Sequence, residues 1–397
     1  MKNLFFSFLL LAGCYHTPEP SEPLLMSIQI QDRNGLTETI SIPERLVTYE
    51  QVDFLSPQPY KKVLRIFKRE GKNAAKITTY HPNGFPWQYL EIQDMRAFGI
   101  YREWHPNGRL KIEATVIGGT ADVVPGAQQD WLFDGLSQVW DDQGRTLATI
   151  PYQKGVLEGK ALYYYSSGQL EKELLYHQNE LDGETFEFFA NGAKRARVFY
   201  QNGLLMEGDY FSSTGEAISH VKQGSGQQSI YDSDALDRMV EFRNGRPEGA
   251  VKIFSQSGEL IAVYSTKNGK KQGEELRYFT TQESELALPK LSISWEDDSI
   301  SGLVKTWYPN GKLQSQREFA RNKKTGSSLG WYRDGSLMLL EEYEEDRLVK
   351  GQYFKKNQKE PVSTVSNGTG TATLYDEQGI FLRKIPYAKG KPIDSDS

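Results

Sequence analysis

Alternating apolar and polar positions recur along most of this chain, and residues 159–183, GKALYYYSSGQLEKELLYHQNELDG, show the pattern most clearly. Leu162 and Tyr164 fall on one face of a first predicted strand. Leu170 and Tyr176 fall on one face of a second, with mostly polar residues between them. The pattern therefore predicts a half-buried pair of antiparallel strands.

The residues between the two strands favour a tight turn. Ser166-Ser167-Gly168 occupies this place here, and His-Pro-Asn-Gly or Tyr-Pro-Asn-Gly occupies it at 81–84, 105–108 and 308–311. Proline presets φ for a type I turn, and glycine takes the left-handed position of a G1 bulge. Each unit is thus a predicted β-hairpin, and because a single hairpin is only marginally stable in water, the units must stack on one another.

The spacing of key residues recurs in about twelve units. Counted from Gly159, an aromatic residue falls at +5, a glycine at +9, a leucine at +11, an aromatic at +17 and the next repeat glycine at +24. We interpret the +5 aromatics as a packed ladder in the repeat core. The alternative is an exposed stacking platform for sugars or a peptide. The +5 aromatics are Tyr80, Trp104, Trp140, Tyr164, Phe188, Tyr231, Phe254, Tyr278, Trp307, Trp331 and Tyr375.

A longer repeat is superimposed on the short one. Gly159, Gly183 and Gly208 each have a counterpart 143 residues later, at Gly302, Gly326 and Gly351. The segments that follow end in Gly-Ser-Gly at 224–226 and Gly-Thr-Gly at 368–370. We interpret this as a block duplicated once, whereas the alternative is that two degenerate units merely look alike.

The repeat resembles the bacterial MORN-repeat variant found in proteins often labelled YwqK-type antitoxins. The resemblance rests on the glycine, the aromatics at +5 and +17, Asn-Gly near +8 and +9, and the leucine at +11, and it extends over residues 75–385. It implies stacked hairpins and contacts with a protein partner or a membrane, and it implies no particular chemistry. The expected fold is all-β, with hairpins stacked into an elongated antiparallel sheet or solenoid.

The N-terminus indicates export. Residues 1–13 carry Lys2 and then an apolar run that is too short to span a bilayer, as in a signal peptide. Leu11-Ala12-Gly13-Cys14 resembles the lipobox of bacterial lipoproteins, which predicts an acylated Cys14 and a membrane-anchored protein. Because Tyr15 rather than aspartate follows, the outer membrane is favoured if the host has one. Cys14 is the only cysteine, so no intramolecular disulfide can form.

The rest of the chain divides into four predicted segments. Residues 14–25 are a Pro-rich spacer behind the lipidated cysteine, and residues 26–59, with Asn34-Gly35 between apolar runs, form an N-terminal capping hairpin region. Residues 60–388 form the repeat array, and residues 389–397 form a polar tail.

Two insertions break the repeat rhythm and are candidate binding loops. Residues 115–134 contain Trp131 and Phe133, and residues 280–298 contain Trp295. The alternative is loop drift, with each tryptophan packed back on the sheet.

No catalytic constellation emerges from the sequence. The phosphate loop, the nucleophile elbow and the His-Glu-x-x-His motif are absent from the 397 residues. His81 and His105 share one turn position without a cysteine or acidic ligand at metal spacing, so turn-surface histidines are favoured over a metal site. A net charge of −5 with mixed signs argues against nucleic-acid binding.

We therefore expect a non-enzymatic, lipid-anchored envelope protein that presents an extended β-surface to an unknown envelope protein, with no cofactor and no metal. Two alternatives stay open: a module that binds envelope glycans or phospholipid headgroups, and a YwqK-type antitoxin. An exported lipoprotein would not reach a cytoplasmic toxin, so the chain departs from that last role.

Overall fold

The computed structural model describes residues 25–68, 74–284 and 288–393. Strands account for 62% of the chain and helix for 3%, and most strands adjacent in sequence pair antiparallel, which confirms the predicted all-β class of tandem hairpins. The predicted signal peptide, Cys14, the spacer up to residue 24 and the last four residues of the tail lie outside the described residues.

The chain divides into two units, Met1–Gly159 and Lys160–Ser397. The first unit contains β1 Leu25–Gln31, β2 Thr37–Ile40, α1 Pro43–Glu50, β3 Lys62–Lys68, β4 Ala75–Tyr80, β5 Pro86–Gln93, β6 Arg96–Trp104, β7 Leu110–Val116, a 3-10 turn Ala127–Asp130, β8 Phe133–Trp140, β9 Thr146–Gln153 and β10 Val156–Leu157.

Hairpins continue in the second unit. Its strands are β11 Gly159–Tyr164, which begins at the boundary, β12 Leu170–His177, β13 Glu180–Leu181, β14 Gly183–Phe188, β15 Lys194–Gln201, β16 Leu204–Phe211, β17 Ala217–Lys222, β18 Ser225–Asp232, β19 Ala235–Arg243, β20 Arg246–Phe254, β21 Leu260–Lys267, β22 Lys270–Tyr278, β23 Pro289–Glu296, β24 Ser299–Trp307, β25 Leu313–Ala320, β26 Lys323–Trp331, β27 Leu337–Glu344, β28 Arg347–Tyr353, β29 Ser363–Ser366, β30 Thr369–Tyr375, β31 Phe381–Ala388 and β32 Lys391–Pro392.

The turns have the geometry that their residues predict. The Gly84 N–H donates to the His81 carbonyl at 2.8 Å, and Gly84 has φ +92°, which confirms a type I turn followed by a G1 bulge. The ladder shifts register beside this turn, between Thr79 and Tyr80. The same positive φ recurs at the turn glycines Gly108, Gly144, Gly168, Gly192, Gly215, Gly258, Gly311, Gly335 and Gly379.

The core follows a position that the sequence analysis did not single out, two residues after the repeat glycine. Side chains at +2 point into the packed face of the sheet in both units. The buried +2 residues are Tyr101, Ser137, Ala161, Thr185, Tyr210, Val251, Glu275, Ser328, Tyr353 and Ala372.

The predicted opening hairpin is present as β1 and β2, with Ile28 opposite Ile40. Strand β1 also pairs with β3, so the hairpin is continuous with the sheet of its unit. The helix α1 was not predicted; Pro43 stands in its first turn, and Leu46 is buried against the Ile28 and Ile40 cluster.

Candidate functional site

The predicted +5 aromatics lie at an intermediate depth. Tyr80 is buried, and the other ten are half-buried. In three units the next residue, at +6, lies deeper: Phe189, Tyr308 and Tyr332 are at most 2% exposed. In these units the first turn residue therefore contributes more to the core than the aromatic before it.

In five of the units the side chain at +6 connects its hairpin to the next one. The hydroxyls of Tyr308 and Tyr332 donate to the carbonyls of Trp331 and Phe354, at 2.8 and 2.7 Å. His81 makes the equivalent bond, with Nε2 lying 2.8 Å from the Trp104 carbonyl, which identifies Nε2 as the protonated nitrogen. We call these contacts the inter-repeat bonds. Two further inter-repeat bonds join Tyr165 to Phe188 and His105 to Trp140.

The first insertion packs against the sheet of its own unit. Trp131 is 5% exposed, its indole N–H donates to the Thr120 carbonyl at 2.8 Å, and its ring meets Tyr101 edge-on at 4.8 Å. Phe133 is half-buried beside it, with ring centroids 6.3 Å apart. A ring this deeply buried does not present a face to a ligand.

The second candidate tryptophan takes part in a charged network. The Trp295 indole N–H donates to the buried Glu275 carboxylate at 3.0 Å. Lys271 and Arg277 each bind the same carboxylate at 2.7 Å, and the Lys271 ammonium lies 4.8 Å from the Trp295 ring centre. Burial alone would raise the pKa of Glu275, but the hydrogen bonds from Lys271 and Arg277 outweigh it and hold that pKa below its usual value.

A cationic pocket of about 560 Å³ lies in the first unit beside the exposed Trp87 ring. The His81 ring stacks on Trp87 at 5.7 Å. The Arg33 guanidinium, which also lines the pocket, donates to the backbone carbonyls of Pro59 and Pro82. Its hydrogen-bonding capacity is thus directed to holding two loops together.

Two parts of the second unit share several equivalent contacts. We call residues 163–243 the first block and residues 306–388 the second block. In the first block Tyr210 lies over Gly208, and in the second block Tyr353 lies over Gly351; each ring occupies the space where a glycine Cβ would be. The backbone bonds from Gly224 to Met206 and from Gly368 to Val349 match in the same way, at 2.8 and 2.9 Å. The blocks therefore serve as internal controls for each other.

The second block contains a groove that the sequence analysis did not predict. It has a volume of about 680 Å³ and is lined by residues of strands β24–β27, β30 and β31. Glu341 lies in its wall, where it accepts hydrogen bonds from the hydroxyls of Tyr353 and Tyr343 at 2.8 and 3.3 Å. We call it the second-block groove. The sequence feature that could have indicated this groove is the difference in side-chain size between equivalent positions of the two blocks.

Within residues 25–68, 74–284 and 288–393, no cluster of histidine, aspartate and glutamate side chains has the arrangement of a metal site. In the same part of the chain, no helix has the length and apolar character needed to span a membrane.

Fold and site together define a class: an all-β protein of tandem hairpin repeats with a groove on one block. Comparison with known families adds one finding to this class. The family model of the MORN repeat variant matches three stretches of the chain, residues 99–117, 157–178 and 300–320. No curated protein matches the chain.

Among solved structures, the chain is similar to a crystal structure of TcdB2-TccC3, with 10% identity and a TM-score of 0.17 over 94% of this chain and 25% of that chain. It is also similar to the Tc holotoxin pore of Photorhabdus luminescens, with 12% identity and a TM-score of 0.16 over 93% of this chain and 24% of that chain. The chain thus spans about a quarter of these structures' chains. At such low TM-scores the similarity says nothing about function.

Proposed function

We propose that this protein is a non-enzymatic repeat protein, anchored in the cell envelope by a lipid on Cys14, that binds another envelope protein through the edge of strand β31. The observation that carries the proposal is a run of three exposed apolar residues where this strand begins. Ile380, Phe381 and Leu382 are 65%, 54% and 58% exposed. Monomeric proteins seldom leave adjacent large apolar side chains in water on a sheet edge unless a partner covers them.

The backbone at this edge is open as well. Strand β31 pairs with β30 along one side, and on the other side only its last residues, Tyr387 and Ala388, pair with β32. Among the described residues, the first half of β31 therefore has no strand on its outer side. An extended segment of a partner could add there as a further strand, with main-chain bonds giving affinity and apolar pockets giving specificity. Lys384, which is exposed, favours a partner segment that carries acidic residues.

Lipid anchoring would place this edge at the envelope. The proposal rests on the signal-like residues 1–13 and on Cys14 at the end of Leu-Ala-Gly-Cys. Several acyl chains on one residue hold a protein firmly at a membrane, whereas one chain binds weakly. Mass spectrometry of the mature N-terminus from membrane fractions should find an acylated Cys14, and Cys14→Ser should release the protein. An unmodified N-terminus on protein recovered from the soluble fraction would contradict the proposed lipid anchor.

The partner proposal is tested by chemical crosslinking in intact cells, followed by pull-down and identification of the captured protein. Ile380→Lys and Leu382→Glu should abolish capture, because each places a charge in the apolar contact. Phe381 is left unchanged because its ring contacts Tyr375 at 6.2 Å. Val362→Lys is the matched control, since Val362 is 43% exposed but directly precedes β29 rather than β31. Equal capture by all variants, or turnover of a substrate by the purified protein without any partner, would overturn the proposal.

A further inference from the structure

The two blocks of the second unit differ in one row of cross-strand neighbours. In the second block, Thr306 lies opposite Ser315, and Ser315 lies opposite Gly330. In the first block, Lys172 lies opposite Glu187. At an offset of 143 residues, Tyr163, Lys172 and Glu187 are the counterparts of Thr306, Ser315 and Gly330. Small side chains thus replace three large ones at the same places on the sheet.

Large side chains cover this face in the first block. Arg195, whose side chain is 7% exposed, binds Glu187 at 3.0 Å and lies 3.7 Å from Glu171. Its guanidinium also lies over the Phe189 ring, 5.8 Å from the centre. The ion pairs and the ring contact together hold Arg195 across the row. We call these side chains the first-block plug.

The second block has no equivalent of the plug. Met338 stands in the place of Arg195, Gly330 in that of Glu187 and Gln314 in that of Glu171. The ion pairs of the plug cannot form between these residues. The space that the plug fills in the first block is therefore open as the second-block groove of about 680 Å³.

Unpaired positive charge lines the second-block groove. Arg317 and Arg383 are both exposed lining residues, and neither has a hydrogen-bond or ion-pair partner among the described residues. The nearby carboxylates are already engaged: Glu341 accepts from two tyrosines, and Glu377 lies 3.7 Å from Arg333. An arginine fork without a carboxylate is suited to a bidentate contact with an anionic ligand.

Aromatic and hydroxyl groups complete the lining. Trp331 and Tyr375, both half-buried, line the groove together with Gln314, Ser315 and Ser328. Aromatic rings contact the apolar faces of sugar rings, and amide and hydroxyl groups hydrogen-bond to sugar hydroxyls. Together with the unpaired arginines, these groups make the lining suited to a polar, anionic ligand rather than to an apolar peptide.

We propose that the second-block groove binds an anionic carbohydrate, in which a carboxylate or phosphate on the sugar engages Arg317 and Arg383 while the ring lies against the aromatic lining. The site goes beyond the protein contact proposed at β31 and does not depend on it. The first block lacks the site because its plug fills the corresponding space.

The test is isothermal titration calorimetry of the full-length chain, with and without acyl groups, against three probes. Trigalacturonic acid carries carboxylates, glucose 6-phosphate carries a phosphate, and cellotetraose is neutral. We expect one or both anionic probes to bind and cellotetraose to bind at least about tenfold more weakly, as the loss of a charge-assisted contact implies. Raising the salt concentration should weaken the anionic binding.

Two variants connect binding to the groove. The double variant Gly330→Glu and Met338→Arg transplants the plug, and Arg317→Leu introduces the residue that the first block has at Leu174. The double variant should abolish binding, and Arg317→Leu should weaken it about tenfold. Arg238→Ala, at the first-block counterpart of Arg383, is the matched control and should bind normally. Circular dichroism of each variant verifies that the sheet is intact.

Three outcomes would overturn this assignment. The first is that neither anionic probe binds. The second is that binding survives both the plug transplant and Arg317→Leu. The third is that cellotetraose or an acidic peptide binds as tightly as the anionic sugars. These results leave the proposed β31 contact untested, because Ile380, Leu382 and Lys384, on which that contact depends, are not lining residues of the groove.

Discussion

Tyr353 and Tyr210 hold equivalent positions in the two blocks, yet only the Tyr353 hydroxyl donates to a carboxylate, that of Glu341 at 2.8 Å. Val198 stands in the first block where Glu341 stands in the second. The side chain of Gln228 approaches the Tyr210 hydroxyl. Among the described residues, however, no group forms a hydrogen bond of normal geometry with it.

This difference predicts different responses to the same substitution. Tyr353→Phe should lower the free energy of unfolding by about 1–2 kcal/mol, because a hydrogen bond to a charged group is lost. Tyr210→Phe should be neutral or slightly stabilising, because it removes a buried hydroxyl without a partner. Urea unfolding followed by circular dichroism measures both. Equal losses for the two variants would show that the Glu341 contact contributes nothing specific.

The repeat glycine is required where a side chain of the preceding strand occupies the space that a Cβ would need. Gly249 has φ +114°, and a Cβ there would collide with the Glu241 carboxylate, which accepts the Ala250 N–H at 2.8 Å. Gly159 has a similar φ of +102°, but its nearest contact would be Pro151 at an ordinary 3.6 Å. Both positions disfavour alanine because of their positive φ.

The two alanine variants separate backbone strain from steric exclusion. Gly249→Ala should destabilise the protein by about 1–2 kcal/mol more than Gly159→Ala, since only the first displaces a carboxylate from its hydrogen bond. Thermal unfolding of the two variants beside the unmodified chain provides the comparison. If both lose the same stability, backbone conformation alone explains the repeat glycine.

The inter-repeat bond from Tyr332 predicts a dependence on alkaline pH. Burial raises the pKa of Tyr332 to about 12, whereas a tyrosine in an unfolded chain ionises near pH 10. The folded chain keeps a proton that the unfolded chain loses, so this contribution is present below about pH 10 and is lost as the pH rises towards 12.

Replacement of Tyr332 should therefore act in two ways. Tyr332→Phe should cost about 1–2 kcal/mol at neutral pH, because the Phe354 carbonyl loses its donor. It should also flatten the decline in stability between about pH 10 and 12. Tyr278→Phe is the control, because no hydrogen bond from the Tyr278 hydroxyl is present among the described residues. An unchanged alkaline profile for Tyr332→Phe would contradict the role given to its hydroxyl.

The hairpins were predictable because their turn chemistry is local. Pro-Asn-Gly segments specify a type I turn with a G1 bulge whatever surrounds them, and Gly84 has that geometry. The depth of each side chain was less predictable, because the bulge shifts the ladder by one residue, as between Glu187 and Phe188. The sequence analysis extrapolated simple alternation through this shift, and of the +6 residues it considered only His81 and His105, which it interpreted as turn-surface histidines.

Features that depend on distant residues were not accessible from local pattern. The sequence analysis left open whether Trp131 packs back on the sheet, because its burial depends on Tyr101 in β6 and on the Thr120 carbonyl near the other end of the same insertion. The second-block groove requires knowledge that Thr306, Ser315 and Gly330 share one cross-strand row. The 143-residue offset reveals which residues are equivalent, but only the sheet register shows that the smaller ones lie side by side.

The Glu275 network predicts a dependence on acid. Its lowered pKa means that the folded chain releases a proton that the unfolded chain keeps near its usual pKa of about 4.3. The stabilisation is therefore present above that pH and is lost as the pH falls through the lower folded pKa. Glu275→Gln should cost about 2 kcal/mol at pH 7, less than for a fully buried ion pair because Lys271 and Arg277 retain contact with water. It should also flatten the decline in stability below about pH 4.

Glu296→Gln, at an exposed carboxylate beside Trp295, is the control and should change neither the stability at pH 7 nor its decline in acid. Urea unfolding at pH 3, 4 and 7 decides the matter, and parallel acid profiles for Glu275→Gln and the unmodified chain would show that the carboxylate does not stabilise this part of the sheet.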